Sequence, residues 1–586
     1  MTKEIIDSAM GRQPFDLLIK NVHLVNSITM EIINSFIGIT DGKIAWIGNE
    51  EKGHSAKAIY DGKGCFALPG YIDGHMHLES SMMVPSHFAN TVLPKGTTSV
   101  VADPHEIANV FGMLGIRELR KQVRTLPLKV TIMIPSTVPS LPNFETSGKS
   151  IEPEDISALL DEDPKAGLGE VMDFNGIAAG DERMLKIVNE AAKRDRVIDG
   201  HSSLLTGDSL QAFIDCGIDS DHTIMTSQTV VEKLRLGMYV QIQESFITPT
   251  LMETLNNLSI NDRIMLVTDD VPIKRLVTKG HVDHLLRSAV KAGLNPLKAI
   301  RFVTLNPAMR MGFKDRGALT PSKCADIILV DNLTSFNAQA VFVDGKLIAK
   351  NGNMVKPISP IPFDKALFSS MHLNSVTSDI FKIKSEKVEN GTATVNVIAQ
   401  DGKTIRTWLD TQTVSITQGI LNQEKLMKMT IIVRHGKSQK PSVGFIDGQE
   451  NFIGALATTY AHDSHNLIIY SGNDEDAVIA ANALIECGGG IVAVNKGEIL
   501  EILPLPIAGL MGNFESSENL NKYQTLSDIA TNVLHLKHRE PLNFITLMAL
   551  AVSPEVKLTD KGLLDVVHKK FLPLILSEKE SEADSE

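Results

Sequence analysis

Between residues 69 and 312, eight short apolar runs alternate with longer segments whose apolar residues recur at helical spacing. No other part of the chain restricts the fold so strongly. The runs are GYIDGH (70–75), TTSVVAD (97–103), KVTIMIPS (129–136), AGLGEVM (166–172), RVIDGH (196–201), GIDSDHT (217–223), YVQIQE (239–244) and RIMLVTDD (263–270). Segments such as ERMLKIVNEAAKR (182–194) carry the helical pattern between them. Eight strand–helix units in about 240 residues predict an α/β fold built on a (β/α)8 TIM-like barrel.

The flanks have another rhythm. Residues 1–68 hold alternating apolar and polar runs, with Asp41-Gly42 between two of them as a hairpin signal. The same pattern returns over 313–364, with ADIILVD (325–331) and a second hairpin pair at Asp344-Gly345. We therefore expect one small split β-sandwich domain, in two pieces, with the barrel inserted between them. Residues 365–575 read as a separate α+β domain, with strand-like KMTIIVRHG and HNLIIYSG and a helical DEDAVIAANALIECG. The charged end, 576–586, is expected to be a disordered tail.

Composition narrows the function. The net charge of −13 makes the chain a poor nucleic-acid binder, since phosphate contacts need clustered Lys and Arg. No stretch approaches the ~18 apolar residues of a membrane span, and the first 16 residues lack the apolar core of a signal peptide. Four scattered cysteines without a C-x-x-C predict reduced thiols and a cytoplasmic protein.

In such a barrel the C-terminal ends of the strands build the active site. Strand one ends in His75-x-His77, strand four carries Glu170, strands five and six end in His201 and His222, and strand eight ends in Asp269-Asp270. Imidazole and carboxylate donors suit Zn, Mn, Fe or Co. Histidines at i and i+2 share one strand face and can serve one ion. Glu170, with two oxygens, can bridge two ions ~3.5–4 Å apart. One arrangement gives His75, His77, Glu170 and Asp269 to the first ion and Glu170, His201 and His222 to the second. A hydroxide between them would attack an electrophilic carbon, with Asp269 taking its proton and handing it to the leaving group.

LPGYIDGHMHLESS (68–81) resembles the strand-one motif of the amidohydrolase superfamily. GTTSVVADPHEIANVFG (96–112), GLGEVMD (167–173), DGHSS (199–203), DHT (221–223), VTDDV (267–271), GALATTYAHDSHNLIIYSGNDEDAV (454–478) and LPLPIAGLMG (503–512) are similar, more narrowly, to the adenine deaminase family, over nearly the whole chain. The resemblance implies hydrolysis of adenine to hypoxanthine and ammonia in purine salvage. It implies two divalent ions, Mn or Fe with Zn as an alternative, held by His75, His77, Glu170, His201, His222 and Asp269. It further implies adenine as the small-molecule partner, and a homo-oligomer, with a dimer favoured, is expected. Mononuclear purine-nucleoside deaminases of the superfamily carry a glutamate three residues after the strand-five histidine, where this chain has Leu204.

Deamination at C6 needs a nucleophile, a proton on the ring and a proton on the departing amine. Asp269 is the expected shuttle. Glu79 and Asp270 are candidates for catalytic work, and Glu106 and Glu244 for contacts to the substrate. Two other readings stay open: a cyclic amide or imide hydrolase of the same superfamily, and a catalytically dead scaffold relative. His281 and His284 are read as the polar face of the eighth helix, and Gly488-Gly489-Gly490 as a turn. The His462–Asn466 segment either lines the site from the last domain or joins domains.

Overall fold

The computed structural model describes residues 3–50, 53–203, 205–404, 406–423, 425–437 and 440–581. Leu204 and residues 582–586 of the charged tail lie outside them. The two outer pieces of the split domain meet in one nine-stranded sheet. Phe66–Pro69 from the first piece pairs antiparallel with Ile327–Val330 from the second. Both hairpin pairs turn as their residues demand: Asp41 and Gly42 have φ of 52° and 68°, and Asp344 and Gly345 have 47° and 73°. Two consecutive positive φ values match the right-handed twist of the flanking strands, and Asp-Gly tolerates them.

The inserted segment forms the ring of parallel strands. Strand one (Tyr71–His77) pairs with strand two (Thr97–Ala102), and strand two with strand three (Lys129–Ile132). Ile134 bridges to Leu168 at the start of strand four (Leu168–Val171), which pairs with strand five (Ile198–Gly200). The amide of Asp219 donates to the carbonyl of Ile198 at 3.2 Å, joining strand five to strand six (Ser220–Asp221). Strands seven (Tyr239–Ile242) and eight (Ile264–Leu266) follow. Asp269–Asp270 then pairs beside Met76 and His77 of strand one, and the ring is closed. Every residue of strand one is buried, as expected of a parallel strand covered on both faces. The helix over Glu182–Ala192 begins where Asp181 accepts the Met184 amide, an N-cap the sequence supplies directly.

The last domain is built on a ten-stranded sheet crossed by the helices Asp474–Cys487 and Ser516–Asn532. Gly488, with φ of 83°, ends the first of these, and Gly490 opens the strand Gly490–Asn495, so the triplet turns the chain from helix to strand. One apolar cluster runs unbroken from barrel residues such as Met76 and Val100 to Leu456, Tyr460 and Met511 of this domain. The expected disordered tail needs correction. Ile575–Glu580 is a strand, paired antiparallel with Gly391–Gln400. Lys579 and Glu580 are exposed while Glu578 is half-buried, and this charged, polar run reads in sequence as a solvated tail. Among the described residues, no helix is long and apolar enough to cross a membrane.

Candidate metal centre

The alternation of strand one places His75 and His77 on the same side of the ring, both buried. Strand four brings Glu170 beneath them. Its amide donates to Asp103 Oδ2 at 2.8 Å. That approach needs Gly169, because a Cβ there would lie 2.2 Å from the same Asp103 oxygen.

Glu170 stands between two histidine pairs. Its Oε1 is 3.2 Å from His77 Nε2 and 4.0 Å from His75 Nε2. Its Oε2 is 2.6 Å from His201 Nδ1 and 3.3 Å from His222 Nε2. Asp269 Oδ1 is 3.0 Å from His77 Nε2 and 3.5 Å from His75 Nε2. All six residues named from the sequence therefore converge. Burial alone would raise the Glu170 carboxyl, but the facing histidines outweigh it and hold it well below the usual range.

The donor set fits divalent ions on two further counts. His75 Nε2 is buried without a hydrogen-bond partner, a costly state that coordination would relieve. The opposite nitrogens are anchored: His75 Nδ1 lies 3.3 Å from Asp199 Oδ2, and His77 Nδ1 lies 2.9 Å from the Asp103 carbonyl. Such anchoring fixes ring orientation and tautomer in metal sites. Asp199 itself forms a fully buried ion pair with Arg310 at 2.6 Å. Burial would raise its carboxyl, yet Arg310 and His75 hold it below the usual carboxylate range. Spacing alone gives Asp103, Asp199 and Arg310 no role; Asp103 lies in ADPHEIANVFG and Asp199 in DGHSS, but only the fold shows what they face. His105, also inside a quoted motif, has Nδ1 3.7 Å from Glu170 Oε1.

A cavity of about 630 Å³ opens above the cluster, lined by His77, His201, His222, Asp269, Asp270 and His462 among others. Asp269 holds φ of 56°, a left-handed conformation that Asp accepts more readily than most residues, and Gln243 Nε2 donates to its Oδ2 at 2.7 Å. The other candidate carboxylates fall outside this lining. Glu79 is fully buried and accepts the Ile107 amide at 3.2 Å; burial pushes its carboxyl up to about 7. Glu106 is also fully buried, with both oxygens engaged by His462, His465 and Tyr460 of the last domain. Glu106, expected to contact the substrate, is thus enclosed by these three side chains and does not line the cavity. Glu244 is engaged by His284 at 2.5 Å and Arg275 at 2.8 Å.

His281 and His284 do not form a metal pair. His281 is buried, 3.2 Å from Asp73 Oδ2 and 3.0 Å from Thr97 Oγ1, so it belongs to the interior rather than to a polar helix face. The His462–Asn466 segment both lines the cavity, through His462 and Asp463, and ties the domains, through Asn466 Nδ2 donating to the Thr146 carbonyl at 2.9 Å.

The amidohydrolase family model matches residues 66–348, and the adenine deaminase C-terminal domain model matches 404–570. A curated adenine deaminase of Clostridium botulinum (strain Langeland) is 35% identical over 589 residues, covering 99% of this chain and 98% of that protein. One of Kosmotoga olearia is 37% identical over 588 residues, covering 98% and 99%. Among solved structures, enamidase, a member of the amidohydrolase superfamily, aligns with 59% of this chain and 99% of its own at 17% identity and a TM-score of 0.45. With relatives at 35% and 37% identity along nearly its entire length, the chain belongs to the adenine deaminase family.

Proposed function

We propose that this protein hydrolyses adenine to hypoxanthine and ammonia at a dinuclear metal centre. One observation carries the reading: Glu170 turns one oxygen to each of two histidine pairs on the floor of a cavity walled partly by the adenine deaminase C-terminal domain. Amidohydrolase membership implies a divalent metal centre, and the clustered donors fit one. We assign His75, His77, Glu170 and Asp269 to one ion and Glu170, His201 and His222 to the other, with Mn or Fe as the native metals. When bound, the ions supply Lewis acidity and lower the pKa of water enough for attack at neutral pH.

The remaining work falls to side chains. Asp269 takes the proton of the attacking water and passes it to the departing amino group, a role supported by Gln243, which donates to its second oxygen. Asp270 lines the same cavity and accepts the Ser80 hydroxyl, which suits it to hold the substrate ring. Glu79, with its carboxyl near neutrality and one oxygen without a partner, supports the wall behind Glu106. Four free cysteines support a reducing, cytoplasmic setting, and purine salvage is the role such a reaction serves.

The test is a spectrophotometric assay on enzyme purified under chelation and loaded anaerobically with Mn or Fe. Metal-dependent loss of adenine with matching ammonia is the expected result. No ammonia from fully loaded enzyme would remove adenine as substrate and turn attention to ring amides.

A further inference from the structure

Part of the cavity wall is not barrel. It includes the loop between strands Ala455–Thr458 and Leu467–Ser471 of the last domain, which places His462 at the cavity. The His462 side chain is 8% exposed. Its Nδ1 lies 2.5 Å from Glu106 Oε1, and its Nε2 lies 4.0 Å from Asp270 Oδ2, a fellow lining residue. One nitrogen is thus tied to a buried carboxylate while the other faces the space where substrate must sit.

The partners of Glu106 fix the proton positions. The Ala461 amide donates to His465 Nδ1 at 3.1 Å, so that ring carries its proton on Nε2, which donates to Glu106 Oε2. Tyr460 donates to Glu106 Oε1 at 3.3 Å. Burial would raise Glu106, but the surrounding histidines hold it well below the usual range, so it stands as an ionised acceptor. His462 Nδ1 must then donate to it. A carboxylate that holds one imidazole nitrogen and aims the other at a substrate is the standard way to orient a proton-transfer histidine.

We propose that His462 is the group that protonates the purine ring, and that Glu106 and His465 are its positioning residues. The proposal rests on the adenine deaminase reading above. As the C6–O bond forms, His462 Nε2–H gives its proton to a ring nitrogen, and Asp269 keeps the proton released by the water. The C6–N bond to the amino group then breaks with its electron pair on nitrogen, which takes the Asp269 proton and leaves as ammonia. The proton on the C6 oxygen returns to His462, and the product is the lactam. Burial would lower His462, but Glu106 and Asp270 outweigh it and push the group up to about 9, so the proton is present at neutral pH.

His105, Glu106, His462 and Asp463 also bring ligand atoms within 4.8 Å of one another, so metal content belongs in the test. Full-length wild type and H462Q are loaded with Mn and compared for adenine turnover, Mn per chain and thermal melting. The expected result is a kcat lower by about 10²–10⁴-fold with Mn unchanged. A kcat within about threefold of wild type overturns the proposal, and so does a rise confined to KM. Loss of one Mn per chain overturns it in favour of a third cation. Should H462Q lose its cooperative melt, E106Q decides, because it keeps the imidazole and weakens only its orientation. Lower kcat with unchanged KM and Mn supports the dyad, and wild-type kcat refutes it. Wild type inert toward adenine sinks the proposed deamination first, and this proposal with it.

Discussion

Asp199→Asn separates orientation of a ligand from the ligand itself. Asp199 is not among the residues lining the cavity above the cluster, but its Oδ2 holds His75 Nδ1 at 3.3 Å while Oδ1 pairs with Arg310 at 2.6 Å. An asparagine keeps the shape and one neutral acceptor, so only one of these two partners can be served. If Arg310 keeps it, His75 loses the partner that sets its tautomer, and loss of such partners costs about 10–100-fold in metal affinity, or about 1.4–2.8 kcal/mol. Breaking a buried ion pair costs about 3–5 kcal/mol when the remaining charge is left alone. Here Arg310 retains Asp219 at 2.6 Å, so the expected loss of stability is smaller, about 1–3 kcal/mol. Chelator competition measures the first quantity and urea unfolding of the metal-free protein the second. Wild-type metal affinity in D199N would refute the argument that Asp199 orients His75.

Glu170→Ala removes the oxygens shared by the two histidine pairs; metal content should fall below two per chain and turnover by several orders of magnitude, and elemental analysis beside the ammonia assay checks both. Asp269→Asn should lower kcat by about 10²–10⁴-fold with little change in thermal stability, since Asn also accepts the φ of 56° at this position; a mild loss would transfer the proton shuttle to Asp270. Glu145→Gln concerns pH. Burial and the nearby Asp463 push the Glu145 carboxyl from 4.5 up to about 8. Between those values the folded state holds a proton that the unfolded chain has released, so stability falls as pH rises through this window. Urea midpoints at several pH values should show a shallower fall for E145Q, and parallel profiles would contradict the assignment.

Much of this architecture was legible in advance because its signals are local. The Asp-Gly hairpins depend on two residues each, the H-x-H pair on strand alternation, and Glu170, His201 and His222 on lying at the ends of apolar runs. What escaped depends on contacts far apart in the chain. Nothing near Glu106 reveals that Tyr460, His462 and His465 enclose it. Asp199 looks like any aspartate before a glycine until Arg310 arrives from the far end of the barrel segment. His281 has the spacing of a surface helix residue and is instead fixed inside by Asp73 and Thr97. The charged strand Ile575–Glu580 has no apolar pattern of its own and is defined by its partner.

The pairing of Phe66–Pro69 with Ile327–Val330 sets a timetable for biosynthesis. The first strand leaves the ribosome about 260 residues before its partner, and at about 5–20 residues per second the wait is roughly 13 to 50 s. During that interval the early strands of the split sheet carry an unmatched hydrogen-bonding edge, while the whole barrel emerges between them. The returning strand therefore acts as a clasp: it fastens the two ends of the barrel segment only after the last βα unit has been made. Cells short of chaperones should lose this protein to aggregation at that stage, before its catalytic loop has been translated.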